Sequence, residues 1–250
     1  MGKSPPVKVA RSTPAFQPLY QQIKSLITQG LISGEWSPGS VIPSEIELAR
    51  RYEVSQGTVR KAINELAAEN LLVRHQGKGT FVSSHAEENR RYYFTRIAAD
   101  RGERVLPDAE LLEFRRGKAD ARVAARLGVS AGASLLVLRR VLRDAGRPVI
   151  LETVRLPAAL FRGLTAELLA QRGALLYSTY ESVLGIRVLK AEESIKAVRA
   201  DAEAAARLEV EPGSPLLAVE RVALTYGDRP VELRHSLCNT RDYHYQARIV

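Results

Sequence analysis

The sequence predicts an α+β protein of two domains, and three features of the chain indicate this division. The first is a pair of capped helices followed at once by a short basic hairpin, between residues 43 and 82. The second is a polar stretch without apolar periodicity, and the third is a 24-residue segment that occurs twice in the remainder of the chain. We therefore expect a flexible tail at residues 1–15, a first domain at 16–82, a linker at 83–91 and a second domain at 92–250.

Two short helices are predicted in the first domain. Ser44 and Glu47 have the spacing of a capping box, so one helix should begin after Ser44 and end near Arg51. Ser55 can cap a second helix that begins at the next residue and ends near Glu69. The apolar side chains expected to pack between them are Leu48, Ala49 and Tyr52 from the first helix and Val59, Ile63, Leu66 and Ala67 from the second.

The polar face of the second helix and the segment after it predict contact with DNA. Gln56 and Arg60 are four residues apart on one exposed face, near the helix start that a major groove admits. Residues 71–73 and 80–82 should pair as strands around the basic loop 74–79, whose glycines let the backbone approach phosphates or a minor groove. A capped helix pair or a Gly-Lys-Gly loop alone is a weak signal, but their order predicts a winged helix-turn-helix.

The first domain also resembles the GntR family of bacterial transcription regulators. The resemblance spans residues 18–82 and includes Pro18-Leu19-Tyr20-Gln21-Gln22-Ile23, Ile32-Ser33-Gly34 and Pro38-Gly39 ahead of the helix pair. It implies double-stranded DNA as the partner, with bases or phosphates contacted by the helix starts and by the hairpin tip. The candidate DNA-binding residues are Ser44, Ser55, Gln56, Thr58, Arg60, Lys61, Gln76, Gly77, Lys78 and Gly79.

Two departures from that family concern the bases that the protein reads. Many members carry an arginine early in each helix of the pair, whereas this chain has Ile46 and Gln56. The change removes two guanidiniums suited to guanine O6 and N7 and offers an amide suited to adenine. The preferred operator should therefore differ from the usual one.

Composition agrees with a nucleic-acid partner without deciding the question. The 250 residues are 45% apolar and carry a net charge of +9, but the excess is spread over both predicted domains. A single cysteine, Cys238, excludes an intramolecular disulfide and makes a reducing compartment the default. No apolar run approaches the length of a membrane span, and the polar, proline-containing start does not have the pattern of a signal peptide. We expect a cytoplasmic protein without a membrane partner.

An internal duplication organises the second domain. Ala119–Leu142 aligns without gaps on Ala200–Ala223, with 13 of 24 positions identical. Each copy reads as an alanine-rich helix, a glycine-containing turn and a strand, followed by a second strand that begins near Arg147 or Arg229. Two such helix-plus-hairpin units predict a pseudo-symmetric antiparallel sheet with helices on one side, and a pocket where the halves meet. The alternative is that the duplication only builds a stable scaffold.

Residues 92–246 also resemble the UTRA effector-binding domain of the HutC-type subfamily, which shares its α/β fold with chorismate lyases. The residues that carry the resemblance are Phe94-Thr95, Arg140, Glu152, Leu176-Tyr177, Tyr180-Glu181, Gly185-Ile186, Glu232 and Asp242-Tyr243. It implies a small anionic effector held by backbone N–H groups and arginine. We also expect a homodimer, because one recognition helix and hairpin neutralise only a few phosphates. The candidate effector-binding residues are Phe94, Thr95, Arg140, Leu142, Glu152, Leu175, Tyr177, Glu232 and Cys238.

Three of those positions depart from the subfamily pattern. A second arginine is replaced by Leu142, a serine by Leu175 and a tyrosine by Cys238, so the ligand should carry less charge than a sugar phosphate. We expect a small carboxylate, aromatic ones included, held by Arg140 against apolar side chains. A sugar phosphate would instead need a second cation, with Arg96 or Arg155 as candidates. The alternatives are that Arg140 is a structural bridge to Glu152, that Cys238 only packs, and that Glu232 faces solvent.

Catalysis is the rival class of function, because the fold resemblance extends to a lyase. His235 and Cys238 are three residues apart on a predicted strand, which puts them on opposite faces and prevents a thiol-imidazole pair. The sequence contains neither a metal-ligand spacing nor a glycine-rich nucleotide loop, so no metal or cofactor is expected. A third class is a DNA-binding dimer whose second domain only dimerises. We expect a regulator, not an enzyme.

Overall fold

The computed structural model describes residues 17–84, 96–101, 108–173 and 175–247. These residues divide into two compact units at the junction between Val82 and Ser83. The predicted tail, most of the predicted linker, and the candidate residues Phe94 and Thr95 lie outside the described residues. Ser83 and Ser84, which the sequence assigns to a polar linker, are instead buried in the second unit.

Three helices form the first unit, and they span Leu19–Ser33 (α1), Glu45–Arg51 (α2) and Gln56–Ala68 (α3). The start of α2 is confirmed, because the Ser44 hydroxyl accepts a hydrogen bond from the Glu47 amide at 3.3 Å and the Glu47 carboxylate accepts one from the Ser44 amide at 2.8 Å. The start of α3 is confirmed by the hydroxyl of Ser55, which accepts from the amide of Thr58 at 3.2 Å.

The core of the first unit lies between α1 and α3. Leu48 of α2 is buried as predicted, but Ala49, Tyr52 and Ala67 are only half-buried. Ala62 is fully buried, because α1 packs against α3 and turns that side of the helix inward. The buried apolar side chains of the three helices are Ile23, Ile27, Leu31, Leu48, Val59, Ala62, Ile63 and Leu66.

The predicted hairpin follows α3 as two antiparallel strands, Leu72–His75 (β1) and Gly79–Val82 (β2). His75 lies opposite Gly79, so Gln76, Gly77 and Lys78 form the exposed tip. Gly77 has a φ of 73° and Gly79 a φ of 113°, in the left-handed region that side chains disfavour. The glycines therefore shape the tip as the sequence predicts.

The second unit contains a six-stranded antiparallel sheet in the order β4-β5-β6-β9-β8-β7. Its strands are Asp108–Lys118 (β4), Ser134–Asp144 (β5), Arg147–Pro157 (β6), Lys190–Arg199 (β7), Pro215–Leu224 (β8) and Pro230–Asn239 (β9). A separate pair is formed by Ile97–Ala99 (β3) and Tyr243–Tyr245 (β10). The helices are Ala121–Leu127 (α4), Ala166–Arg172 (α5), Leu176–Leu184 (α6) and Ala202–Leu208 (α7), with a 3-10 turn at Tyr226–Asp228.

Within the second unit, the two copies of the duplicated segment have the same fold and meet at the central β6–β9 pair. One copy supplies α4, β5 and β6, and the other supplies α7, β8 and β9. Asp120 and Asp201 cap the two helices in the same way, accepting from the amides of Val123 at 2.8 Å and Ala204 at 2.7 Å. Each helix packs on the last strand of the other copy, α4 on β9 and α7 on β6. Each copy thus completes the core of the other.

The two faces of the sheet are covered by different elements. Along β5, Val137 and Val141 pack with α4 and α7, whereas Leu136 and Leu138 pack with α5 and α6. Arg140 has the parity of the second pair and so lies on the α5–α6 face. The expectation of helices on one side therefore holds for the two repeated helices only. Between the copies, the chain adds α5 and α6, which cover part of the other face. The β3–β10 pair packs on another part, beside Val219 and Cys238.

A substitution at Gly30 of α1 tests how tightly Trp36 packs against this helix. A Cβ at Gly30 would lie 2.6 Å from the buried ring of Trp36. Gly30→Ala should therefore lower the free energy of unfolding by about 1–3 kcal/mol, although alanine is the better helix former. Gly57→Ala in α3 is the matched control, since its Cβ would lie 3.8 Å from the nearest side-chain atom. That control should stabilise by up to about 1 kcal/mol.

Urea unfolding of the full chain, followed by the fluorescence of its single tryptophan, measures both variants. Equal stabilisation by the two substitutions would show that Trp36 gives way and does not restrain α1.

Candidate DNA-binding surface and effector site

The helix pair and the hairpin of the first unit enclose a groove of about 910 Å³. Ser44 and Gln56 line it at the starts of α2 and α3, and the hairpin lines it from Arg74 to Thr80. The structure thus brings the candidate hairpin residues, Gln76 to Gly79, beside the predicted recognition helix. Arg60 is exposed one turn further along α3.

A carboxylate that the sequence analysis did not single out lies in this groove. Glu45 accepts hydrogen bonds from Arg60 Nε at 2.9 Å, from Arg74 Nη2 at 2.8 Å and from Gln56 Nε2 at 3.3 Å. Burial acts to raise the pKa of Glu45, but these hydrogen bonds outweigh it and hold the pKa below its ordinary value. Glu45 is therefore ionised at neutral pH.

Three other candidate DNA-binding residues also have partners inside the unit. The hydroxyls of Ser55 and Thr58 lie 2.8 Å apart at the start of α3. The Nζ of Lys61 lies 3.8 Å from the ring centroid of Tyr20, a cation–π contact that holds this side chain against α1. Each of these groups would have to share or exchange its partner to contact DNA.

The α5–α6 face of the second unit carries a buried ion pair between neighbouring strands. Arg140 donates from Nε to Glu152 Oε1 at 2.8 Å, and its Nη2 donates to the same oxygen. Both side chains are 2% exposed. The bridge to Glu152 that was the alternative for Arg140 is therefore present. Arg140 also donates from Nη1 to the carbonyl of Gly173 at 3.4 Å, just before α6.

Arg234 of β9 extends this pair into a network. Its Nη1 donates to Glu152 Oε2 at 3.3 Å, and its Nε and Nη2 donate to the two oxygens of Glu232 at 2.9 and 3.0 Å. Tyr177 and Tyr180 of α6 each donate a hydroxyl to Glu232 at 3.0 Å. Glu232 is fully buried and does not face solvent. Sequence reasoning missed Arg234, although strand alternation places it on the same face as Glu232.

The same face continues with a third ion pair. Arg221 of β8 donates from Nε to Glu193 of β7 at 2.6 Å, and the hydroxyl of Tyr245 donates to the other oxygen of Glu193. Three arginines and three glutamates thus line β5, β6, β9, β8 and β7, and we call this set the ionic ladder. Its members are Arg140, Glu152, Arg234, Glu232, Arg221 and Glu193. Its formal charge sums to zero, which makes its burial tolerable.

Protonation in the ladder follows from burial and from neighbouring charges. Burial raises the pKa of Tyr177 to about 12 and that of Tyr180 well above its ordinary value, so both phenols remain hydrogen-bond donors. Burial also acts to raise the pKa of Glu152, but the charges of Arg140 and Arg234 outweigh it. The net result is a pKa of Glu152 below its ordinary 4.5.

The three substituted positions of the predicted effector site have different surroundings. Leu142 is buried two residues beyond Arg140 on β5, on the same face. Leu175 is the N-cap of α6, where its side chain makes no capping hydrogen bond. Cys238 is 1% exposed and packs with Ile97 and Val219, and burial raises the pKa of its thiol to about 12. The surroundings of Cys238 are those of a packing residue.

The two candidates for a second cation differ in position. Arg155 lies opposite Val137 in the β5–β6 register, which places it on the α4–α7 face. Burial lowers the pKa of Arg155, and the charges of Asp120 and Arg122 on that face also act on it. It is therefore not in the predicted site, because strand alternation turns it away from Arg140. Arg96 lies close to Tyr245, whose hydroxyl donates to Glu193 of the ionic ladder. Burial and Glu193 raise the pKa of Tyr245 to about 12, and the charge of Arg96 acts against this rise.

Comparison with known proteins agrees with both units. Residues 19–82 match the bacterial regulatory proteins of the gntR family, and residues 103–244 match the UTRA domain. The chain belongs to the GntR family. Both domains of the HutC-type organisation are thus present in one chain.

Relatives of this GntR regulator match it over most of both chains. The HTH-type transcriptional regulator Rv0792c of Mycobacterium tuberculosis is 32% identical, and the match covers 89% of this chain and 81% of that protein. The probable fructoselysine utilization operon transcriptional repressor of Escherichia coli is 28% identical, with 90% of this chain and 91% of that protein covered. A solved ligand-binding domain from Bordetella bronchiseptica is 41% identical with a TM-score of 0.59, covering 62% of this chain and 96% of that domain.

The families and relatives are transcriptional regulators and not enzymes. His235 and Cys238 lie on opposite faces of β9, as their spacing predicts. None of the helices in the described ranges is long and apolar enough to cross a membrane.

Glu152 predicts how the stability of the GntR regulator depends on pH. Its folded pKa is lowered, so its contribution to the free energy of unfolding is full above the unfolded pKa and is lost as the pH falls through the folded pKa. The unfolding temperature of the second unit should therefore fall as the pH drops below about 5. Glu152→Gln should cost about 3–5 kcal/mol at pH 7 and weaken this dependence. Calorimetric unfolding across this pH range measures both effects.

The exposed Glu192 of β7 offers the control. Glu192→Gln should leave the pH profile close to that of the wild type. An acid transition that is as steep in Glu152→Gln as in the wild type would mean that another carboxylate causes it.

Proposed function

We propose that this GntR regulator is a cytoplasmic repressor that binds a pseudo-palindromic operator as a homodimer. A small anionic metabolite binds in the second domain and releases the protein from DNA, and a carboxylate is favoured over a sugar phosphate. The proposal rests on the groove of the first unit for DNA and on Arg140 with the start of α6 for the effector.

The DNA half of the proposal is supported by the groove between α3 and the hairpin. Gln56 and Arg60 occupy the first turns of α3, and the left-handed Gly77 keeps the hairpin tip narrow. One such helix and hairpin can neutralise only a few phosphates, so useful affinity requires two copies on two half-sites. This is the physical reason for proposing a homodimer and a pseudo-palindrome.

A single observation carries the effector half. Arg140 reaches the carbonyl of Gly173 at 3.4 Å, two residues before the N-cap of α6. The α6 N-terminus has no side-chain cap, and its backbone N–H groups and dipole favour an anion. A guanidinium beside such a helix start is a suitable anion site.

Arg140 can serve this site while it remains bonded to Glu152. Arginine carries five N–H donors. Two of its nitrogens donate to Glu152 and one to Gly173, which leaves donor capacity on the Nη groups for an oxyanion. Arg140 would thus be both a structural bridge and an effector ligand.

The charge balance of the ionic ladder favours a ligand with one negative charge. Its three arginines are balanced by three glutamates, so the ladder has no excess positive charge to neutralise a dianion. Leu142 offers apolar contact where the subfamily pattern has a second arginine, and Leu175 does so at the helix start. A carboxylate with an apolar body, aromatic ones included, suits one guanidinium and such a wall. Micromolar binding, about 8 kcal/mol, is then a reasonable affinity.

A second candidate function is a DNA-binding dimer whose second domain has no effector. The buried Arg140–Glu152 pair favours it, because that pair alone accounts for both residues. Release from DNA by a small molecule separates the two functions.

Gln56 predicts the base preference of the operator. Its amide pairs best with adenine N6 and N7, so selection from random duplexes should yield A·T at the base pair it contacts. Gln56→Arg should move that preference to G·C, and both selections should yield two half-sites about one helical turn apart. Lys78→Ala is the control, because loss of a phosphate contact should weaken all sequences alike and lower the salt slope by about 1.

An unchanged base in the Gln56→Arg selection would remove Gln56 from base reading. Full affinity of a monomer for one asymmetric half-site would contradict the homodimer.

Leu142 and Leu175 predict the ligand class. In thermal unfolding of the wild type, a binding carboxylate at 100 times its dissociation constant should add about 2.7 kcal/mol to stability, and sugar phosphates should add less. Leu142→Arg combined with Leu175→Ser should reverse this order, because the pair restores a cation and a hydroxyl. Unliganded unfolding of the double variant reports whether it folds.

Exposed Val183 of α6 provides a control position outside the ladder. Val183→Ser should leave the order of ligands unchanged. Stronger stabilisation of the wild type by a sugar phosphate than by every carboxylate tested would overturn the proposed ligand class.

A further inference from the structure

Glu45 occupies an unusual place on the proposed DNA surface. It is the first residue of α2, and its carboxylate joins Arg60 of α3 to Arg74 of β1. The side chain of Glu45 is 15% exposed, whereas those of Arg60 and Arg74 are 56% and 44% exposed. A recessed carboxylate thus lies behind two exposed guanidiniums that belong to separate elements.

The geometry leaves the guanidiniums able to contact DNA. Arg60 bonds Glu45 through Nε, so its two Nη groups are not used in that contact and are the groups that pair with guanine O6 and N7. Arg74 bonds the other carboxylate oxygen through one Nη. Each arginine is therefore bonded to Glu45 through one nitrogen and has further N–H groups for a contact with DNA.

We propose that Glu45 is a positioning residue for DNA recognition, which fixes Arg60 of the recognition helix and Arg74 of the hairpin in one relative arrangement. This inference rests on the proposed function, because it assumes that this groove is the DNA surface. Glu45 touches no base in this role. It acts through the two arginines and also holds Gln56, whose Nε2 donates to it at 3.3 Å.

The charge of Glu45 has a second consequence. Without the carboxylate, two neighbouring guanidiniums would repel each other and pair with whichever phosphates are nearest. Phosphate contacts carry no sequence information. Affinity for unrelated DNA should then rise while affinity for the operator falls, so Glu45 acts on specificity more than on total affinity.

The experiment compares dissociation constants for a selected operator and for a scrambled duplex of equal length, over a range of salt concentrations. In Glu45→Gln, the ratio of the two affinities should fall about tenfold and the salt slope should increase by about 1. Glu45→Asp keeps the charge but is one methylene shorter, so it cannot reach both arginines. Its specificity ratio should also fall, with a smaller change in the salt slope.

Glu47→Gln is the matched control, because Glu47 lies in the same first turn of α2 and its carboxylate bonds the Ser44 amide instead of the two arginines. It should keep the wild-type specificity ratio, and circular dichroism should show all three variants folded. Wild-type ratios in both Glu45 variants, or an equal fall in Glu47→Gln, would overturn the positioning role. Operator binding by Arg60→Ala that equals the wild type would instead contradict the proposed DNA surface itself.

Discussion

The carboxylate of Glu152 lies between the guanidiniums of Arg140 and Arg234, and the sheet of the second unit depends on this contact. The three side chains come from β5, β6 and β9, so the contact spans the boundary between the two copies of the duplicated segment. A buried charge is costly unless an opposite charge and hydrogen bonds compensate it. Each member is therefore tied to the others, and a ligand that approaches Arg140 meets a set of charges that is already balanced.

The duplicated segments build the scaffold around that ladder. Because α4 packs on β9 and α7 packs on β6, each helix covers the strand pair of the other copy, and one copy alone would leave an apolar strip exposed. The opposite face has no repeated helix. It is covered in part by α5 and α6, and two tyrosines of α6 bond Glu232. The strands thus supply the charged residues of the ionic ladder, and α6 adds two tyrosines that bond it.

The first unit was predictable because its determinants are local. The caps at Ser44 and Ser55 depend on groups three residues away, and the glycines of the hairpin depend on their own φ angles, so each could be read from a short stretch of sequence. The side chains facing α1 were less predictable, and Ala62 is buried where Ala67 was expected. Glu45 was missed for a similar reason, since its partners Arg60 and Arg74 are 15 and 29 residues away.

The sequence by itself determined the two-domain α+β organisation, the winged helix-turn-helix, the helix-plus-hairpin units and the candidates Arg140, Glu152, Tyr177 and Glu232. The organisation and the elements follow from short-range patterns and from an internal repeat, and the four candidates follow from the resemblance to the UTRA domain. The tertiary structure decided which side of the sheet each residue occupies and which charges meet, and so it added Arg234 to the network and placed Arg155 on the other face. The reason is that alternation along a strand decides only which side chains share a face of the sheet. The packing of the helices and the order of the strands decide which elements cover that face.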